Sequence, residues 1–377
     1  MSQSRLNRLD RLNRLDWLNR RDRVDRVDRL GRPRLRKSLT GYAAALTATV
    51  VSLAGVVGVQ PASAEGAGTA VGGAAGHAVR SAPADDPYAD PEPDADAADI
   101  AADIGTGADD EERGAGTERT GTGRTSPART TTGDPRAAGA SVFEGRAFDT
   151  CHAPSLSTMR AWRSSPYGAV GIYFGGRGRA CPNQPYLGPG WVRGARAMGW
   201  QVLPLYVGSQ SRCVTNTRKK HVRIGSRPWT QGKAEGRDAV RRAKAMAMSA
   251  RSALYLDMEA YNFHNKGCAR STLAFIRGWS NAVRALGYLP GYYSSADTGV
   301  RHLEAARRAG VNDLPDAMWF ARWHMGPSID KERSLARGAW QPHRRIHQYA
   351  GDVTETHGGR RMSIDRNAVD APVAVIK

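Results

Sequence analysis

The sequence predicts an α/β protein whose folded part is a (β/α)8 barrel of the TIM type, preceded by a signal peptide and a disordered linker. Three observations lead there. Beyond residue 141 short apolar runs alternate with amphipathic stretches, as a parallel sheet with crossover helices requires. Eight such runs fit into 141–377, close to the length of about 250 residues usual for this barrel. The competing open, doubly wound sheet lacks its nucleotide loop, because Gly175-Gly176-Arg177-Gly178 does not have the G-x-G-x-x-G spacing.

The expected strands are 145–150, 169–174, 201–207, 253–258, 289–294, 317–323, 346–349 and 362–365. Each is a short apolar run of strand length. Between the fourth and fifth, Leu273, Phe275, Ile276, Trp279, Val283 and Leu286 recur at helical spacing, and Gly287 is a helix stop. The segment 235–249 likewise reads as a helix with an Ala/Met/Val face.

Charge divides the 377 residues into three parts. Lys plus Arg total 55 against 36 Asp plus Glu, but residues 1–41 carry +8, residues 65–139 carry −9, and 141–377 carry +20. Arg34, Arg36 and Lys37 precede an uncharged run over 38–59 that closes in Ala62-Ser63-Ala64. This is the pattern of a secretory signal cleaved after Ala64, giving a first segment of 1–64. Retention of the apolar run as an anchor is the alternative, and it is the one route to a membrane. Arg36-Lys37 is a poor twin-arginine signal, which favours the general export route. The upstream Arg-Leu-Asn and Arg-Leu-Asp triplets fit neither a helical nor a strand period and read as an overlong n-region. Residues 65–140 are Ala, Gly, Thr, Asp and Pro with a single aromatic, Tyr88, too little apolar surface to fold, so they read as an acidic linker.

Cys151, Cys181, Cys213 and Cys268 follow the first four strands and so share one rim. Export favours two disulfides; of three pairings, neighbouring loops favour Cys151 with Cys181 and Cys213 with Cys268. No C-x-x-C suggests zinc, and His343 and His347, four apart but running into a strand, do not make a helical metal face, so no metal or other cofactor is expected.

The sharpest chemical signal is Leu254-Tyr255-Leu256-Asp257-Met258-Glu259. Two carboxylates two apart at a strand's end point to one side, and in a barrel that end is the catalytic face. Close acids cannot both ionise freely, which is how a general acid is held protonated. The alternative is a structural pair bonded to Arg or to helix N-termini. Asp149 ends the first strand and Asp365 the last, so four acids of a strongly basic domain collect at one mouth.

Phe148-Asp149 on the first strand, Asp257-Met258-Glu259 on the fourth, Trp319-Phe320-Ala321-Arg322-Trp323 on the sixth, Gln348-Tyr349 on the seventh and Ile364-Asp365-Arg366-Asn367 on the eighth resemble family 25 glycoside hydrolases, the bacterial and fungal lysozymes. Phe148-Asp149-Thr150-Cys151-His152-Ala153-Pro154-Ser155, Gly171-Ile172-Tyr173-Phe174-Gly175-Gly176 and Leu203-Pro204-Leu205-Tyr206-Val207-Gly208 are more closely similar to a group of exported actinobacterial proteins with a glycoside-hydrolase-like domain of unknown function. The resemblance covers roughly 143–372. It implies Glu259 as general acid, with Asp149, Asp257 and Asp365 around the cleaved sugar. With Asp257 deeper than Glu259, Asp257 could orient a 2-acetamido group as internal nucleophile, while Asp149 or Asp365 as nucleophile or base stays open. Thr150-Cys151 after the first Asp departs from the lysozyme pattern, and fold likeness does not establish hydrolysis.

Tyr206, Tyr261, Tyr292, Trp319 and Trp323 lie near the same rim as candidate sugar platforms, some of them more at home in the core, and Gln348 and Tyr349 could bond sugar hydroxyls. Arg218-Lys219-Lys220 with His221 and Arg223, and Arg344-Arg345, could meet teichoic acid phosphates, peptidoglycan carboxylates or acidic lipid heads, or be a solvated basic surface. Nucleic acid is not an expected partner, because no recognised module accompanies these charges. The expectation is thus an exported, cell-wall-associated monomer that hydrolyses peptidoglycan-type amino-sugar glycan, or a non-catalytic wall-binding module on the same barrel. A nuclease or phosphodiesterase would need a metal cluster whose histidines are missing from suitable strand ends.

Overall fold

The computed structural model describes residues 133–377; the expected signal segment, the triplet repeat and the linker up to residue 132 lie outside the described residues. Eight strands close a barrel in sequence order: β1 (Val142–Asp149), β2 (Ala169–Gly175), β3 (Gln201–Tyr206), β4 (Ala253–Asp257), β5 (Leu289–Ser295), β6 (Ala317–Ala321), β7 (Arg345–His357) and β8 (Arg360–Pro372). Five α-helices accompany them among the described residues: α1 (Leu156–Ala161), α2 (Pro189–Ala197), α3 (Pro228–Ala245), α4 (Lys266–Ala285) and α5 (Arg301–Arg308). No helix among the described residues is long and apolar enough to cross a membrane.

Every expected strand position is occupied, but the sheet is not wholly parallel. β8 runs antiparallel to both β7 and β1. The cause is local: β7 and β8 are joined by Gly358-Gly359, whose φ values of 54° and 72° make a two-residue hairpin turn. Such a turn can only return the chain beside itself, whereas a parallel strand needs a crossover of a dozen residues. Met258 and Trp323, placed in strands by their apolar character, lie just beyond β4 and β6.

Side-chain alternation along each strand sorts the core into two layers. Phe148, Val170, Ile172, Leu254, Leu256 and Met318 face outward and pack with helix residues such as Val240, Phe275, Trp279 and Leu303. Ala147, Leu203, Tyr255, Trp319, Ile346 and Val369 fill the barrel interior. Helix α3 begins seven residues before the expected 235, at Pro228, a good first helical residue. Its glycines hid it from propensity but serve the packing: a Cβ on Gly232 would strike the Phe275 carbonyl of α4 and one on Gly236 the Trp279 carbonyl, while a Cβ on Gly278 of α4 would strike the Trp229 carbonyl of α3.

The chain is already docked before 141. Asp134 caps a short 3-10 turn, Pro135–Ala138, through the Arg136 amide at 2.8 Å. Arg344 Nε donates to the Gly133 carbonyl at 2.7 Å. On the opposite rim, Cys151–Cys181 ties the loop after β1 to the loop after β2, and Cys213–Cys268 ties the loop after β3 to the start of α4, with Cα separations of 5.8 and 5.9 Å.

Candidate active site

The carboxyl ends of β1 to β7 form one mouth, and inward alternation fixes which side chains reach it. Asp149 is the register partner of Asp365 and sits on the interior side with Ala147. Gly171 on β2 makes room for it, since a Cβ there would run into the Asp149 side chain. Its Oδ1 accepts from Tyr173 Oη at 3.0 Å, and its Oδ2 from Gln348 Nε2 at 3.0 Å and Asn367 Nδ2 at 2.9 Å. Only 1% of Asp149 is exposed. Asp365, on the reversed strand, reaches the mouth from the amino-terminal half of β8, and its Oδ1 accepts the Asp352 amide at 2.7 Å.

Asp257 is the last residue of β4, on the same interior side as Tyr255, and Tyr293 is its register partner on β5. Tyr293 Oη donates to Gln348 Oε1 at 3.0 Å, which also accepts Trp323 Nε1 at 3.1 Å. Gln348 therefore links the Asp149 side of the mouth to the Asp257 side. Glu259 lies beyond the strand, its side chain 14% exposed, and its Oε1 is 3.6 Å from Lys219 Nζ. Lys219 also donates to the Gly178 carbonyl at 2.6 Å. The buried Gln210 side chain spans both acids' backbone: Oε1 accepts the Glu259 amide at 2.8 Å and Nε2 donates to the Asp257 carbonyl at 2.9 Å. The charged group facing Glu259 is thus a cation.

Of the expected aromatic platforms, the mouth contains Trp323, half-buried. Tyr206 and Tyr292 are outward-facing: Tyr206 bonds Asp238 of α3 at 2.8 Å and packs near Trp279, and Tyr292 is fully buried behind the sheet. Tyr261 is also buried there, hydrogen-bonded to His302 Nδ1 at 2.8 Å. Burial pushes the phenols of Tyr206, Tyr261 and Tyr292 above their ordinary range. Trp319 does face inward, but below the mouth, fully buried edge-on to Tyr255 and Tyr293 with Nε1 on Asn367. Tyr349 falls on the outer face beside His347. The reason is parity: one residue's shift along a strand moves a side chain from interior to helix layer.

The residues missed from sequence are Tyr173, Tyr293, Asn367, Gln210 and Lys219. Tyr293 is selected over Tyr292 by the register of β5 against β4, which sets it opposite Asp257 on the inward side. Nothing in the run Arg218-Lys219-Lys220 marks its middle residue as buried. Arg344 and Arg345 also leave the basic surface: Arg345 is 1% exposed and donates to the carbonyls of Ala339, Ala336 and Ile329.

Cys151, His152 and Cys181 bring donor-type atoms within 4.8 Å of one another, but the two sulfurs are joined in a disulfide and offer no thiolate. His343 bonds Asp370 and Arg136, while His347 bonds the Arg322 carbonyl and stacks on Phe320, so the two histidines engage separate partners.

The fold and the family match together make this closed eight-stranded barrel, with carboxylates and half-buried aromatics at one mouth, a glycoside-hydrolase-like domain. The chain belongs to the Rv2525c-like, glycoside hydrolase-like domain family, whose model matches residues 160–369, a span that holds Asp257, Glu259 and Asp365 and begins after Asp149. Among solved structures, it is similar to the Tat-secreted protein Rv2525c of Mycobacterium tuberculosis in complex with L-tartrate, at 14% identity and TM-score 0.43 over 60% of this chain and 96% of that one. It is similar to the spore cortex lytic enzyme SleM of Clostridium perfringens at 9% identity and TM-score 0.41, over 60% and 67%. The modular autolysin LytC of Streptococcus pneumoniae, in complex with a synthetic peptidoglycan ligand, matches at 11% identity and TM-score 0.37, over 61% and 46%. No curated protein matches the chain.

Proposed function

We propose that the protein is an exported glycoside hydrolase acting on cell-wall amino-sugar glycan, with Glu259 as general acid. The observation that carries this reading is the gathering of Asp149, Asp257, Glu259 and Asp365 from three strands around a mouth walled by Tyr173, Tyr293 and Trp323. Glu259 is the outermost acid and the one a glycosidic oxygen meets first. Asp257 lies deeper and orients an acetamido group. Asp149, held by three donors, keeps Tyr173, Gln348 and Asn367 in place rather than attacking carbon. For Glu259 to donate a proton, the entering glycan must part it from Lys219, which stays anchored to the Gly178 carbonyl. Export rests on the uncharged run 38–59 and its Ala-Ser-Ala close.

A second reading, a binding module without turnover, is favoured by that same ion pair, since a carboxylate paired with an ammonium accepts hydrogen bonds and donates none. Incubating the full chain with peptidoglycan, chitin oligomers and α-glucans separates the two. Release of reducing ends that Glu259→Gln abolishes supports the hydrolase; saturable binding without release supports the module; neither binding nor release rejects both.

A further inference from the structure

The acids of this domain are distributed unevenly. Between Asp149 and Glu235, residues 150–234 contain 13 Lys plus Arg and no Asp or Glu. The fold concentrates part of that charge at the mouth. Residues 176–188 follow β2 and 207–227 follow β3, both at the carboxyl ends of their strands, and they carry exposed Arg177, Arg212, Arg218, Lys220, Arg223 and Arg227.

These loops form one braced surface. The Gly178 amide donates to the Val207 carbonyl at 2.8 Å, Arg177 Nη2 to Ser209 Oγ at 2.6 Å, and Lys219 crosses from one loop to the other. The Gln210 amide and carbonyl pair with Val222 and Ile224 at 2.9 Å each, Asn216 caps the 3-10 turn Thr217–Val222, and Cys213–Cys268 fixes the base. Among the described residues Glu235 reaches in to 3.8 Å from Arg177, and Glu259 pairs with Lys219. Arg212 is held by the Ile224 carbonyl, which leaves its charge uncompensated by that bond.

We propose that this collar binds a linear phosphodiester polymer of polyols or sugars that runs past the mouth. Five of its six exposed cations are guanidinium groups, whose planar forks match phosphate oxygens two at a time. They recur along a fixed loop rather than converging on a point, so the fitting ligand carries a charge in every repeat. The loop 207–227 contains no Phe, Tyr or Trp, and the collar's exposed large aromatic is the single Tyr186 of 176–188, short of the succession of stacking platforms that a single-stranded nucleic acid uses. The proposal is independent of whether the mouth takes a glycan.

The test is binding of the full chain to poly(glycerol phosphate), to polygalacturonate and to duplex DNA, each at about 0.05 and 0.2 M salt. Counterion release from several contacts predicts that affinity for the phosphate polymer falls by at least about tenfold across that range. The triple variant Arg218→Glu, Lys220→Glu, Arg223→Glu should lose at least about tenfold at low salt, while Arg251→Glu, Arg361→Glu, Lys377→Glu, with the same change in net charge, should lose less than about threefold. Equal losses in the two variants, no binding, or equally tight binding of polygalacturonate or DNA overturns the proposal. The salt slope of the unaltered chain decides the matter if the collar variant does not fold. Binding of neutral chitin oligomers at high salt reads the mouth separately, so either idea can fail alone.

Discussion

Asp149 and Asp365 stand side by side across the β1–β8 seam as register partners, although one ends its strand and the other lies within a strand running the opposite way. Reversal of β8 carries Asp365 to the mouth from its amino-terminal half, and Asn367, two residues on, turns to the same interior and donates to Asp149. The acid pair is thus produced by the Gly358-Gly359 hairpin. Asp149→Asn removes the charge that accepts all three bonds and turns an amide N–H either toward Tyr173 Oη or against the donors from Gln348 and Asn367. A loss of about 1 to 3 kcal/mol in urea unfolding is expected; an unchanged midpoint would show that the three donors are not needed there.

Gln210 occupies the place of a peptide group between Asp257 and Glu259. Gln210→Leu keeps the bulk but leaves the Glu259 amide and Asp257 carbonyl unbonded, a cost of roughly 2 to 4 kcal/mol. Binding of oligosaccharide should weaken as well, because the Glu259 backbone is no longer fixed. Calorimetric titration alongside thermal melting checks both.

The aromatic residues separate by layer. Trp323→Ala should weaken sugar binding with a small change in stability, whereas Tyr206→Phe should leave binding alone and cost about 1 kcal/mol through the lost bond to Asp238. Equal effects on binding would contradict the assignment of Tyr206 to the helix layer.

Cys213–Cys268 closes a loop with a sequence separation of 55. Chain entropy gives it about 4 kcal/mol of stabilisation, so Cys213→Ala with Cys268→Ala should lower the denaturant midpoint sharply and loosen the Lys219 loop. Hydrogen exchange over 207–227 would register the loosening; protection equal to that of the parent would argue against it.

His302 is fully buried behind β4 and β5, and that burial lowers its pKa from 6.5 to about 4. Because the folded value lies below the unfolded one, the neutral ring contributes stability that is complete above pH 6.5. That contribution is lost as pH falls toward about 4, by about 3 kcal/mol. His302→Gln should flatten the stability profile in this window. Parallel profiles for parent and variant would refute the assignment.

Much of the barrel was legible because its strands are apolar runs of the right length, and Asp257 and Glu259 announce themselves at the end of one. The aromatic set was less legible. Tyr292 and Tyr293 have the same composition-based claim on the mouth, and only their register against β4 decides between them. Lys219 and Lys220 are neighbours in a basic run, yet one is buried against Glu259 and the other is exposed.

The amino-acid sequence alone determined the number and order of strands, the placement of the cysteines on adjacent loops and the candidate acids, because these follow from local hydrophobic period and from which residues end each run. Tertiary structure decided the direction of β8, which of three cysteine pairings forms, the inward or outward sense of each aromatic and the partner of Glu259. Those depend on register and on contacts between residues far apart in the chain, where a shift of one position exchanges the barrel's interior for its helix layer.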